Sequence, residues 1–145
     1  MLGIGPASGF TGAPGAEPRT TLAAMAQASR AEDAERNESI NPLGALGASG
    51  RTGAVAIDPL DGSAVVVVGH PTYAGLSHTA PSGDVAAAFL RDWRTIGIQA
   101  CAKIGGDFAL ALHDVATRTT VLLADRIGTP PLTAVDCNAR LSCAG

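Results

Sequence analysis

Apolar positions in this chain fall into short runs whose spacing switches between strand and helix periods. Gly53-Ala54-Val55-Ala56-Ile57-Asp58 and Ser63-Ala64-Val65-Val66-Val67-Val68 flank Pro59-Leu60-Asp61-Gly62. An Asp-Gly pair between such runs predicts a hairpin. The Val65–Val68 run is continuous rather than alternating, which predicts a strand buried on both faces. From Asp84 to Gln99 the period becomes helical, with Val85, Ala88, Phe89, Trp93 and Ile96 near one face. Ser82 or Asp84 is the expected cap, and Gly97 weakens the last turn. Asp107–Asp114 and Thr119–Ala124 then read as strands joined by Val115-Ala116-Thr117-Arg118.

The remaining segments are less patterned. Residues 1–18 hold five Gly and three Pro, which predicts loop after a short strand near Leu2–Gly5. Thr20–Arg36 is Ala-rich and helix-favouring, with Leu22, Met25 and Ala26 on one face and Thr20 or Thr21 as cap. Residues 37–52 read as a long connection and 69–83 as a loop. Leu132–Leu141 reads as a further strand. Helix, strands, helix, strands is the order of an α+β layered domain rather than of a parallel βαβ sheet.

At 145 residues the chain is expected to form one domain. Hydrophobic residues make up 46% but aromatics only 3%, so the core must be built from Ala, Val, Leu and Ile. The ten Lys and Arg are scattered and the net charge is −3. A nucleic-acid partner is therefore not expected, since it needs a concentrated basic face. Three Cys (Cys101, Cys137, Cys143) with no CxxC pair argue against a disulfide framework or zinc knuckle. No segment reaches the ~20 apolar residues of a membrane span, and the N-terminus lacks the signature of a signal peptide. A cytoplasmic location, without membrane or bound metal, is the expectation.

Few residues invite chemistry on their own. His70 and His78 frame a Gly/Pro loop, but no third ligand stands at zinc spacing. His113 falls at a strand end and reads as a packing or edge residue. Asp58 and Asp61 bracket a turn, the usual place for aspartates. Asp125-Arg126 reads as a turn or ion-pair contact. Gly3, Gly5, Gly9 and Gly12 lack the Lys-Ser/Thr of a phosphate loop.

One long stretch does carry a resemblance. Gly106-Asp107-Phe108-Ala109-Leu110-Ala111-Leu112-His113-Asp114, followed by Val121-Leu122-Leu123-Ala124-Asp125-Arg126-Ile127-Gly128-Thr129-Pro130-Pro131-Leu132, resembles the closing strand pair of class II (N-terminal-nucleophile) glutamine amidotransferase domains in asparagine synthetase-like proteins. The likeness extends to Asp84–Trp93, to Asp61–Tyr73 and to Met1-Leu2-Gly3-Ile4, which stands where the family has M-C-G-I. It implies an αββα sandwich over residues 1–145, with the ATP-binding synthetase domain absent from this chain. ATP and Mg2+ would then belong to a synthetase partner in cis or trans, with no cofactor in this chain.

The resemblance also implies that glutamine hydrolysis is lost. Leu2 occupies the position of the family's nucleophilic cysteine, and an activated nucleophile is what covalent amide hydrolysis requires. Gly69 and His70 occupy the oxyanion-hole Asn-Gly; losing one such donor costs roughly 100- to 1,000-fold in rate. Gly53, Ser82 and Asp84 fall at the glutamine-anchoring positions, where the family has Arg, Asp and Glu. Ala124, Pro130 and Thr133 replace an Arg, a basic residue and a Tyr of the second motif. Loss of all these groups resembles relatives that dispense with glutaminase, the β-lactam synthetases and lasso-peptide cyclases. The expected role is a scaffold for an amide-forming ligase. A surviving glutaminase with an unconventional nucleophile such as Cys101, and a truncated remnant, stand as alternatives.

Overall fold

The computed structural model describes residues 36–49, 52–126 and 142–143. Within them β1 (Arg36–Asn41) and β2 (Gly44–Ser49) form an antiparallel hairpin. Strands β3 (Ala54–Ile57), β4 (Ala64–Tyr73), β5 (Ile104–Asp114), β6 (Thr119–Ala124) and β7 (Ser142–Cys143) form a sheet in that order. Neighbours pair antiparallel except β6 and β7, which are parallel. Helix α1 (Ser82–Ile96) and a 3-10 helix (Gly97–Lys103) connect β4 to β5. The architecture is α+β.

The sheet is covered on both faces because β4 and β5 alternate two sets of apolar side chains. Val65, Val67, Leu110 and Leu112 pack with Val85, Ala86, Phe89 and Leu90 of α1. Ala64, Val66, Val68, Ala109 and Ala111 pack instead with Leu46 and Ala48 of β2. Among the described residues the aromatics concentrate on the helix side, where Tyr73 meets Phe89 edge-on at 6.3 Å and Phe89 stacks on Trp93 at 6.2 Å. The hairpin side is built from Ala, Val and Leu, whose small volumes let β2 approach the sheet closely.

The hairpin at Pro59–Gly62, the doubly buried Val65–Val68 run and the β5–β6 pair lie where the pattern places them. Elsewhere the structure corrects it. Residues 37–52 are not a plain connection, because β1 and β2 occupy most of them and Arg36 begins β1 rather than ending a helix. Asn41 makes the reversal: its Oδ1 accepts the backbone N–H of Leu43 at 3.0 Å, an Asx turn around Pro42. Strand β4 runs on through residues 69–73, which the Gly, Pro and Thr content disguised as loop. Neither Ser82 nor Asp84 caps α1. Its N-cap is Pro81, whose carbonyl accepts the N–H groups of Asp84 and Val85. The helix stops at Ile96 because Gly97, at φ 60°, turns the chain into the 3-10 helix. Of the two readings of His113, packing holds and edge does not, since it is 1% exposed. The expected strand at Leu2–Gly5, the rest of the early helix and the tail strand at Leu132–Leu141 lie outside the described residues.

Candidate functional site

Of the positions that the sequence resemblance singles out, Gly69 and His70 lie in β4, Gly53 immediately before β3, and Ser82 and Asp84 in the first turn of α1. Gly69 is buried within β4, paired with Phe108, and has φ +98°. A Cβ there would drive into the backbone carbonyl of Asp107, so no side chain fits at this point. The approach is reciprocal: a Cβ on Gly106, at φ +86°, would meet the carbonyl of His70. The two glycines therefore let β4 and β5 come close where each strand takes a left-handed step.

Around this crossing, His70 is exposed and pairs in register with Asp107. One carboxylate oxygen of Asp107, Oδ1, is buried and receives no hydrogen bond. Gly53 immediately precedes β3, whose Ala54 pairs with Val67, so it sits beside the Val68–Gly69 stretch. Ser82 and Asp84 lie in the first turn of α1, half-buried and exposed respectively. Leu2 lies outside the described residues. The fold thus brings Gly53 close to Gly69, and His70 close to Asp107. Among the described residues it supplies no nucleophile with an adjacent base at these positions.

A second, connected polar cluster was not legible in the sequence. Arg94 of α1 bridges both turn aspartates: Nη2 lies 3.0 Å from Asp58 Oδ2 and in contact with Asp61 Oδ1. Asp61 also accepts the backbone N–H of Ser63 at 2.8 Å and its hydroxyl at 3.1 Å. The Ser63 hydroxyl oxygen in turn accepts the N–H of Val115 at 2.8 Å. Next to Arg94, the Trp93 indole donates to Asp114 at 2.9 Å, and Asp114 accepts the Thr117 N–H at 3.1 Å. Asn41 of the hairpin donates to the Gly62 carbonyl at 3.2 Å and accepts from His113 Nδ1 at 3.3 Å. One cluster therefore ties the hairpin, both sheet turns and the helix together. Clefts of about 430 Å3 and about 400 Å3 flank Arg94.

The electrostatics of this cluster favour fixed charge over proton transfer. The Ser63 N–H and the Arg94 guanidinium hold Asp61 below the ordinary carboxylate range. Burial would raise Asp114, but its bonds from Trp93 and Thr117 outweigh burial and keep it low. Arg94 is pushed up, chiefly by Asp61. Burial lowers His113 to about 4, so it is neutral at pH 7. A general acid or base needs a pKa close to the working pH, and none of these groups has one. A second clamp joins β4 to the 3-10 helix through Asp92 of α1, whose Oδ2 accepts from Tyr73 Oη at 3.0 Å and from Lys103 Nζ at 2.7 Å. Cys101 is half-buried, and burial raises its thiol, the opposite of an activated nucleophile. Among the described residues, no group of three or more His, Cys, Asp or Glu is gathered as metal ligands.

Comparison with protein-family models, with curated proteins and with solved structures yields no match.

Proposed function

We propose that this chain is a non-catalytic, amidotransferase-like scaffold of the αββα type, docking on an ATP-dependent amide-forming ligase such as a lasso-peptide cyclase. The observation that carries the reading is Gly69. It stands at the oxyanion-hole position, and the facing Asp107 carbonyl occupies the space that a donor side chain would need. An oxyanion hole works through preorganised donors aimed at the developing charge, and this backbone leaves no room for the side chain that supplies one. The continuous β4–β5 pairing around Gly69 fits a domain that acts through its shape.

A docking role also accounts for exposed apolar residues beside α1. Leu60 is 92% and Ile57 51% exposed, and both line the cleft of about 400 Å3 with Ala87 and Leu90. Contiguous exposed apolar surface of this kind marks interaction sites.

Two measurements test the proposal. The purified chain should release no ammonia from glutamine; release that disappears in Cys101→Ser would replace the scaffold with an unconventional glutaminase. Capture from its own cell should retrieve an ATP-dependent ligase, either as a polypeptide well above 14.4 kDa or as a separate subunit. A 14.4 kDa species with no ligase bound would remove the scaffold reading and leave a remnant.

A further inference from the structure

We infer that the flank of α1 beside the β3–β4 turn is a self-association surface, where a second copy of this chain docks about a two-fold axis. The inference does not rest on the ligase reading: the second copy covers this face in the isolated chain, and a docking ligase would displace it. The first observation is charge. Asp84, Ala87 and Arg91 follow one another at helical steps of three and four, so they lie along one exposed stripe of α1. Among the described residues no hydrogen bond or ion pair engages the Asp84 side chain. The Arg91 side chain is 73% exposed and its ion pair is a 3.5 Å contact with Asp92. Asp92 is itself taken by closer bonds from Tyr73 and Lys103. Two opposite charges therefore stand on one stripe, neither with a strong partner of its own.

A two-fold axis beside Ala87 satisfies both charges at once. An isologous interface sets residue i against j and j against i. With the two copies of α1 antiparallel, Asp84 of each faces Arg91 of the other, since both lie nearly equally far from Ala87 along the helix. Ala87 is small, which lets the helices approach closely where they cross. A partner surface of a single sign would satisfy one charge and oppose the other, so the stripe matches its own copy better than an acidic or a basic surface. The second observation is apolar surface in the same place. Leu60 and Ile57 are exposed at the cleft of about 400 Å3 that Ala87, Leu90 and Arg91 also line. Among the described residues β3 is an edge strand of its sheet, and no neighbouring strand covers this side. The second copy removes that surface from water.

The test is sedimentation velocity on the full chain across the micromolar range, with no ligase present. Wild type should show a concentration-dependent monomer–dimer equilibrium that weakens as salt is raised. Asp84→Lys and Arg91→Glu each set like charges face to face and should weaken dimerisation about tenfold or more. Mixing these two variants should restore association, because each then meets its opposite, and the double variant should restore it as well. Circular dichroism checks that each variant is folded. Leu60→Ser, in an exposed turn, should also weaken the dimer, and it keeps the test decisive if a charge variant misfolds. A wild type that stays monomeric, or a dimer that Arg91→Glu and Leu60→Ser leave intact, overturns the proposal. So does a pair of folded charge variants that fail to recover on mixing. None of these outcomes touches the scaffold reading, which ligase capture decides separately.

Discussion

At the scale of single residues, two glycines with similar φ angles have very different tolerances. Gly62 (φ +76°) sits in the β3–β4 turn with nothing within 4 Å of a would-be Cβ, whereas Gly69 (φ +98°) faces the Asp107 carbonyl. Replacing Gly62 by Asn adds mainly the left-handed backbone penalty, about 1 kcal/mol. Replacing Gly69 by Asn adds a collision with backbone that has no rotamer to move, for a total of about 2–4 kcal/mol. Urea denaturation of the two variants should show that difference, and Gly69→Asn should gain no glutaminase activity. Equal losses would mean that the close approach of β4 and β5 relaxes easily, and the main support for a non-catalytic site would go. The sequence shows a glycine at position 69 but not this constraint, because the carbonyl that enforces it lies 38 positions away in the chain.

At the scale of elements, legibility followed side-chain size. The β-branched run Val65–Val68 and the Asp-Gly turn announce themselves, and so does the helix that carries Phe89 and Trp93. The β1–β2 hairpin does not, since Gly44-Ala45-Leu46-Gly47-Ala48-Ser49 has one large apolar residue among small ones. Small residues are what the hairpin needs to lie against the sheet, and they also give the composition of a linker. The Arg94 cluster stayed hidden for another reason: Arg94 lies more than 30 positions from both Asp58 and Asp61, and no local spacing links them. Leu46 distinguishes the two readings of the hairpin segment. It is fully buried against Ala64, Val66 and Val68, so Leu46→Ala should cost about 2–5 kcal/mol. A residue in a surface connection would cost within ±0.5 kcal/mol. A thermal or urea midpoint near wild type would return residues 37–52 to a loosely held segment.

At the scale of the whole molecule, the hairpin, helix and sheet meet around groups whose charge is set by the fold, so stability should follow pH in a defined order. His113 is buried against Asn41, and burial lowers it to about 4 from an ordinary value of 6.5. Between these values the unfolded chain binds the proton and the folded chain does not, so acidification favours unfolding. The stability associated with neutral His113 is thus complete above about pH 6.5. It is lost progressively as pH falls toward 4 and amounts to at most about 3 kcal/mol. The depressed carboxylates act in a lower window. Asp61, Asp92 and Asp114 all lie below their ordinary 3.8, so their contribution is lost only as pH falls below that value. Urea denaturation between pH 7.5 and 4.5 should therefore isolate the histidine. Wild-type stability should fall across this range, while His113→Gln, which keeps an amide to meet Asn41 but cannot titrate, should start lower and change much less. Parallel slopes in the two proteins would assign the acid sensitivity to other groups, and His113 would then be open to protons through motion of the β1–β2 hairpin. A flat profile in the variant alone would identify the hairpin–sheet junction as the part of the fold that acid releases first.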